Sequence, residues 1–203
     1  MDNNQEPNQD QLEYYTGGPK KSFFENLSTH LIDFIQTLVV FGAIFALIYL
    51  FVAQPHKVSG NSMVPTFHNG DYILTDKISY KIGNPKRGDV IVLKNPNNET
   101  QDFIKRILAI PGDTVKVGDG SVYVNGVKLD EPYLPSNVTT YASDFLKEGE
   151  VLRAGPNQYY VLGDNREHSS DSRAWGPITQ QEIIGRTFFR YWPPKAFGFT
   201  QFL

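Results

Sequence analysis

The 203-residue sequence contains no cysteine. A disulfide scaffold, a zinc–cysteine site and a cysteine nucleophile are therefore excluded. An excess of one charge is also missing. Lys and Arg number 19 against 22 Asp and Glu, a formal net charge of −3, which leaves no electrostatic footprint for nucleic acid. Apolar residues reach 40% and charged residues only 20%. Those proportions exclude a disordered or collagen-like chain and allow one domain with a smaller companion.

What the sequence does contain is unevenly spread. The mean hydropathy of −0.36 is that of a soluble protein, yet Phe34 to Ala53 reads FIQTLVVFGAIFALIYLFVA, twenty residues without a charge. A helix of about that length spans the ~30 Å hydrocarbon core of a bilayer, and the run lacks the polar stripe of a soluble surface helix. A cleaved leader fits less well: the polar stretch before the run is too long for a basic n-region, and no A-x-A site follows closely. The sequence predicts a polar, disordered tail over 1–30 and a transmembrane helix over 31–53. Six acidic residues and two lysines lie in 1–53, so the acidic excess belongs to the N-terminal end. Lys20 and Lys21 precede the span, a weak bias that points to a cytoplasmic N-terminus and a domain on the far side of the membrane.

Beyond residue 54 the pattern changes from helical to strand-like. Short runs rich in β-branched and aromatic residues are separated by Gly, Pro, Asn and Asp: YILTD at 72–76, DVIVL at 89–93, FIKRILAI at 103–110, TVKV at 114–117, SVYV at 121–124 and QYYVLG at 158–163. The expected fold class is mainly β, an antiparallel sheet domain. Asn125-Gly126 between alternating apolar positions predicts a tight hairpin. The catalytic β domain is expected over 54–113 and 159–203, with an inserted β subdomain over 114–158. Aromatic residues crowd the C-terminal end (Phe188, Phe189, Tyr191, Trp192, Phe197, Phe199 and Phe202). They serve either a β core or contact with lipid headgroups, which Trp and Tyr favour.

Three segments can hold chemistry. In Ser59–Thr66, Gly60 permits a tight turn that would present a serine hydroxyl and a backbone N–H together; alone, the segment reads first as a polar loop. In Phe103–Ile110, strand alternation places Lys105 on one face and Arg106 on the other, each among apolar residues. Burial lowers a lysine's pKa, and a neutral lysine is a usable general base; the plainer reading is an edge strand whose cations reach water along their stems. Gly163–Gly176 (GDNREHSSDSRAWG) is dense in donors and acceptors. It lacks the alternating ligands, central Gly and final Glu of a calcium loop.

These segments resemble the bacterial type I signal peptidases, in a Gram-positive-like form. The shared motifs are S-M-x-P-T at 62–66, R-G-D-V at 87–90, K-R-x-x-x-x-P-G-D at 105–113 and G-D-N-R-x-x-S-x-D-S-R-x-W-G at 163–176, in that order behind one apolar span. The resemblance covers roughly residues 30–192. It implies a membrane-anchored serine endopeptidase that removes signal peptides from secretory precursors at small-x-small sites, with Ser62 as nucleophile and Lys105 as general base. Ser169 matches a serine that hydrogen-bonds and orients the lysine. Asp171 and Arg173 match a supporting pair. Val58, Met63, Phe103 and Ile104 match the lining of the pocket for the small residue before the cleaved bond. The Ser62 N–H is implied as an oxyanion donor, and no cofactor or metal is implied. The expected partners are signal-peptide-bearing precursors and membrane lipid, not nucleic acid; the oligomeric state is not specified. Gly60 replaces a serine that some members use as a second oxyanion donor. Glu167-His168 stands where Asp-Asn is common, and His168 is assigned no role.

The two other readings are a related Ser/Lys peptidase of similar fold, such as the self-cleaving repressors, and an inactive membrane-anchored β domain that only binds peptides. Ser62 lies nine positions after Ala53, at most ~30 Å of extended chain. The expected serine is thus confined near the bilayer surface, where a precursor held by its own apolar segment gains effective concentration.

Overall fold

The computed structural model describes residues 23–200. Most of the expected polar tail, and Phe202, lie outside the described residues. The chain divides into two units, Met1–Leu47 and Ile48–Leu203.

The first unit holds most of helix α1, Phe23–Phe51. Its stretch Leu27–Tyr49 is long and apolar enough to cross a membrane. Leu31, Phe34, Phe41 and Phe45 are all at least half exposed, as suits a helix whose apolar surface runs all round. The helix stops two residues short of Ala53, where strand β1 begins. Pro55 disfavours helical backbone in the residue before it.

The second unit is antiparallel β, and two sheets form it. The larger contains β1 (Ala53–Lys57), β2 (Tyr72–Asp76), β3 (Val90–Asn95), β4 (Asn98–Ala109), β9 (Gln158–Leu162), β10 (Ile178–Thr179), β11 (Ile183–Trp192) and β12 (Gly198–Phe199). Its order is β1-β2-β11-β3-β4-β9-β10, with β12 paired to β11. The smaller sheet has the order β7-β6-β5-β8, formed by β5 (Thr114–Gly118), β6 (Ser121–Val124), β7 (Val127–Lys128) and β8 (Val151–Arg153). The hairpin between β6 and β7 turns at Asn125 and Gly126, both with positive φ (54° and 79°), as a type I′ turn requires.

Leu108, Ala109, Tyr160 and Leu162 of the larger sheet pack with Val115, Val117, Val122 and Val124 of the smaller one in a single buried cluster. A second cluster, Val58, Met63, Phe67, Ile73, Val90 and Val92, lies under the segment that follows β1. Pairing of β4 positions the site. Strand β3 covers β4 along one edge, Arg106 and Lys105 opposing Val90 and Ile91. On its other edge β9 pairs only from Arg106 onward. Residues 98–105 of β4 therefore present an edge without a partner strand among the described residues.

Candidate active site

Lys105 ends the uncovered part of β4. Its side chain is 2% exposed, and its Nζ lies 2.8 Å from Ser62 Oγ and 3.1 Å from the Ile104 carbonyl oxygen. Burial disfavours the ammonium and brings the Lys105 pKa down to about 8, against a weaker upward pull from Asp171 and Asp164. Near neutral pH an appreciable fraction is a free amine, to which the Ser62 hydroxyl can donate.

The turn after β1 delivers Ser62, which is half-buried. Phe67 N–H donates to the Met63 carbonyl and Val64 N–H to that of Asn61, so the turn closes on itself. Loop 163–165 then grips it from outside: Asn165 N–H donates to the Ser62 carbonyl at 3.0 Å and Asn165 Nδ2 to the Asn61 carbonyl at 3.0 Å. Among the described residues the Ser62 N–H has no acceptor, which leaves it available to an oxyanion. Gly60, two residues before, has φ +94° with open space around the position of a Cβ. A serine there would fit sterically but would adopt a strained backbone. The conformation accounts for the glycine.

Gly163 is fixed by close approach. A Cβ at this position would overlap the Ser62 carbonyl oxygen and Ser169 Oγ. Gly163→Ala is expected to push Ser62 away from Lys105 and lower kcat/KM by about 10²-fold, the cost of a displacement near 1 Å, while the melting temperature falls by a few degrees. Steady-state cleavage and thermal unfolding of the same preparation check it.

Asp171 and Arg173 form a buried pair, with Arg173 Nε to Asp171 Oδ1 at 2.7 Å and Nη2 to Oδ2 at 2.8 Å. Asp171 also caps the short helix α2 (Ser172–Trp175) through Arg173 N–H and accepts from Gly163 N–H at 3.1 Å. The pair thus holds the loop that presses on Ser62. Ser169 behaves differently from what the resemblance implies. Its Oγ is buried beside Gly163 but makes no hydrogen bond, because the Lys105 amine is turned to Ser62 and to the Ile104 carbonyl instead.

A cleft of about 320 Å³ opens in front of the dyad, lined by Val58, Phe103 and Ile104 among others. Strands β1 and β4, separated by three strands in the sheet order, both contribute to it, so the sheet curls to bring them together. Met63 does not line this cleft. It is 1% exposed and packs with Val58, Phe67 and Ile73 beneath the wall. The turn directs successive residues apart, and with Ser62 in the cleft its neighbour enters the core. His168 lines the cleft as an exposed residue.

Sequence reasoning gave no role to Arg106 and Asp164. The Arg106 guanidinium donates to Asp164 through Nε at 2.9 Å and Nη2 at 2.8 Å, both side chains fully buried. Asp164 also accepts from Thr66 Oγ1 at 2.5 Å. This pair ties β4, the turn that carries Ser62 and loop 163–165 to one another. The signal was present in the alternation that put Arg106 on an apolar face. Arg190, 2.9 Å from both the Thr66 carbonyl and Asp71, gave no such signal.

A buried amine set against a serine hydroxyl, beside an open strand edge able to take an extended peptide, is the arrangement of a serine peptidase. Comparison with known proteins identifies the family: signal peptidase, peptidase S26, matches residues 31–192, and the chain belongs to it. Signal peptidase IB from Staphylococcus aureus (strain MRSA252) is 34% identical over 185 residues, 86% of this chain and 96% of the relative. A probable signal peptidase I-2 from Synechocystis is 40% identical over 154 residues, 73% and 67% of the two chains. The crystal structure of a signal peptidase I from Enterococcus faecalis is 32% identical and covers 51% of this chain and 97% of that one, with a TM-score of 0.43.

Proposed function

We propose that this chain removes N-terminal signal peptides from secretory precursors at small-x-small sites, with Ser62 as nucleophile and Lys105 as general base. The observation that carries this reading is the 2.8 Å approach of Lys105 Nζ to Ser62 Oγ, with the lysine buried. The neutral amine takes the Ser62 proton as Oγ attacks the carbonyl carbon of the small residue. The Ser62 N–H faces the developing oxyanion. Collapse breaks the peptide bond, and Lys105 returns its proton to the departing amine. Lys105 then deprotonates a water that hydrolyses the ester and restores Ser62. Val58, Phe103 and Ile104 enclose the small residue, and Asp171 and Arg173 hold loop 163–176 in place. Met63 acts beneath the pocket wall rather than on it, and Ser169 is a neighbour of the dyad.

The precursor enters as an added strand on the open edge of β4. The apolar helix anchors the chain in the cytoplasmic membrane with its N-terminus inside and the β domain outside. Phe197, Phe199 and Trp192, 65%, 77% and 52% exposed, favour contact of the β domain with the lipid interface. The test is to map the cut site in a defined precursor carrying an A-x-A sequence, with the full chain purified in detergent. Cleavage directly after the second alanine is expected; no cleavage, or cuts elsewhere, would overturn the reading.

The pH dependence follows from the same lysine. Burial destabilises its charged form, so kcat/KM is expected to fall about tenfold per pH unit below an inflection near 8 and to level off above it. The fold follows the same sign: the unfolded chain binds this proton more tightly, so stability rises with pH between about 8 and 10.5. A pH–rate profile whose acid limb inflects near 6 would point to a different base.

A further inference from the structure

Between β7 and β8 the chain contains a stretch that the reaction does not use. Glu131, Pro132, Tyr133 and Leu134 form a tight turn, in which Leu134 N–H donates to the Glu131 carbonyl at 2.9 Å. Proline is favoured at the second position of such a turn. The turn brings the Tyr133 hydroxyl onto the Glu131 carboxylate, to which it donates. Burial, and then the Glu131 charge, raise the Tyr133 pKa, so the phenol keeps its proton at any working pH. The stretch is fastened to the smaller sheet at both ends. Leu129 N–H donates to the Val122 carbonyl and Thr140 N–H to the Gly120 carbonyl, both at 2.9 Å.

Both side chains end on buried cations. Arg166 donates to Glu131 through Nη1 at 3.1 Å and through Nη2, and to Thr140 Oγ1 at 2.6 Å. Its Nε donates to the Gly163 carbonyl at 3.1 Å. The Tyr133 ring covers Arg106, with 3.9 Å from the ring centre to the guanidinium carbon, and Arg106 holds Asp164. Two buried guanidiniums thus act on adjacent residues of one loop, and Tyr133 touches both. That loop sets where Ser62 stands. Asn165 N–H donates to the Ser62 carbonyl, and Gly163 packs so closely on the same carbonyl that a Cβ would overlap it. Asp171 fixes Gly163 by its N–H, whereas Arg166 fixes it by its carbonyl. Without Glu131 the Arg166 charge would be buried and poorly compensated, and its hold on Gly163 would loosen.

We propose that Glu131 and Tyr133 are positioning residues for Ser62, which act through Arg166 and Arg106 on Gly163–Asn165. The proposal rests on the peptidase reading of Ser62 and Lys105. Neither residue lines the cleft in front of the dyad, so their loss should slow bond cleavage and leave binding alone. The test is single-turnover cleavage of a defined A-x-A precursor by the full chain in detergent, with enzyme in excess. It reads the rate at saturation and the enzyme concentration that gives half of it. Glu131→Gln keeps the shape but removes the charge and one acceptor oxygen. It should lower the saturating rate by about tenfold, part of the ~10²-fold that a displacement near 1 Å costs. Tyr133→Phe keeps the ring over Arg106 and should lower it by about threefold, the size of one modest hydrogen bond. Half-saturation should hold within about twofold. The pH inflection near 8 should also stay, since the charges that act on Lys105 are Asp171, Asp164 and Arg173. Val117→Ala is the control. It trims the core cluster under the smaller sheet, lowers the melting temperature, and should keep the parent's saturating rate. Saturating rates within about twofold of the parent in both variants, or a loss that Val117→Ala matches, overturn the proposal alone. So does a loss confined to half-saturation, or a displaced inflection, since the two side chains would then act on binding or on the lysine. If Glu131→Gln does not fold, the Tyr133→Phe rate decides. A parent that cuts no precursor overturns the peptidase reading and this inference with it.

Discussion

Ser62→Ala and Lys105→Met are each expected to reduce precursor cleavage by about 10⁴-fold or more, in line with the loss of one member of a cooperating nucleophile and base. Removal of the Ser62 hydroxyl deletes one atom at a half-buried turn whose backbone is held by Asn165, so the fold should persist. Lys105→Met keeps most of the volume of a side chain that is 2% exposed and discards an amine whose charged form the site disfavours. This variant should therefore be inactive and, below pH 8, at least as stable as the parent. Lys105→Arg should be inactive for another reason: a guanidinium stays charged at any working pH and cannot accept the proton. Cleavage of a defined precursor and thermal unfolding, measured on the same samples, separate loss of chemistry from loss of fold. Turnover above about 1% of the parent in Lys105→Met would remove Lys105 from the role of base.

Local signals in the sequence found the parts of the fold that are locally encoded. The apolar run gave α1, the Asn125-Gly126 turn gave the β6–β7 hairpin, and the β-branched runs at 72–76, 114–117 and 121–124 became β2, β5 and β6 within a residue. Strand β1 was missed because its residues, AQPHK, have little strand propensity; pairing with β2 across the intervening turn makes the strand. The same cause hid the approach of β1 to β4. That contact depends on how the sheet curls, and no period in either segment records it. Spacing alone did not join Ser62 to Lys105, 43 positions apart; the ordered motifs did. Lys105 and Arg106 show where residue pattern reached and where it stopped. Alternation put both cations on apolar faces, but only the structure supplies the partners, a hydroxyl for one and a carboxylate for the other.

The Arg106 partner leads to the largest expected loss of stability. Asp164→Ala would leave a fully buried guanidinium with the Gly88 carbonyl, 3.0 Å away, and the Tyr133 ring, 3.9 Å from it, as its main contacts. Breaking a buried pair on one side costs about 3–5 kcal/mol, because the remaining charge is desolvated without compensation. Asp164→Asn retains the shape and some of the hydrogen bonds and should cost less. The reverse deletion, Arg106→Met, strands Asp164 but leaves its bond from Thr66, so its penalty should be smaller than that of Asp164→Ala. Removing both charges with Arg106→Met and Asp164→Leu should recover a large part of the loss, since apolar residues of similar volume can replace a buried pair at little cost. Denaturant unfolding of the parent, Arg106→Met, Asp164→Leu and the double variant gives the coupling directly: the double variant should be clearly more stable than the sum of the single losses allows, and strict additivity would show that the two side chains act independently. Activity adds a second readout. The pair joins β4 to Thr66 and to the loop that holds the Ser62 carbonyl, so the double variant should regain stability without regaining full kcat/KM. Restored folding would return the core, but not the hydrogen bonds that fix the hydroxyl in front of the amine.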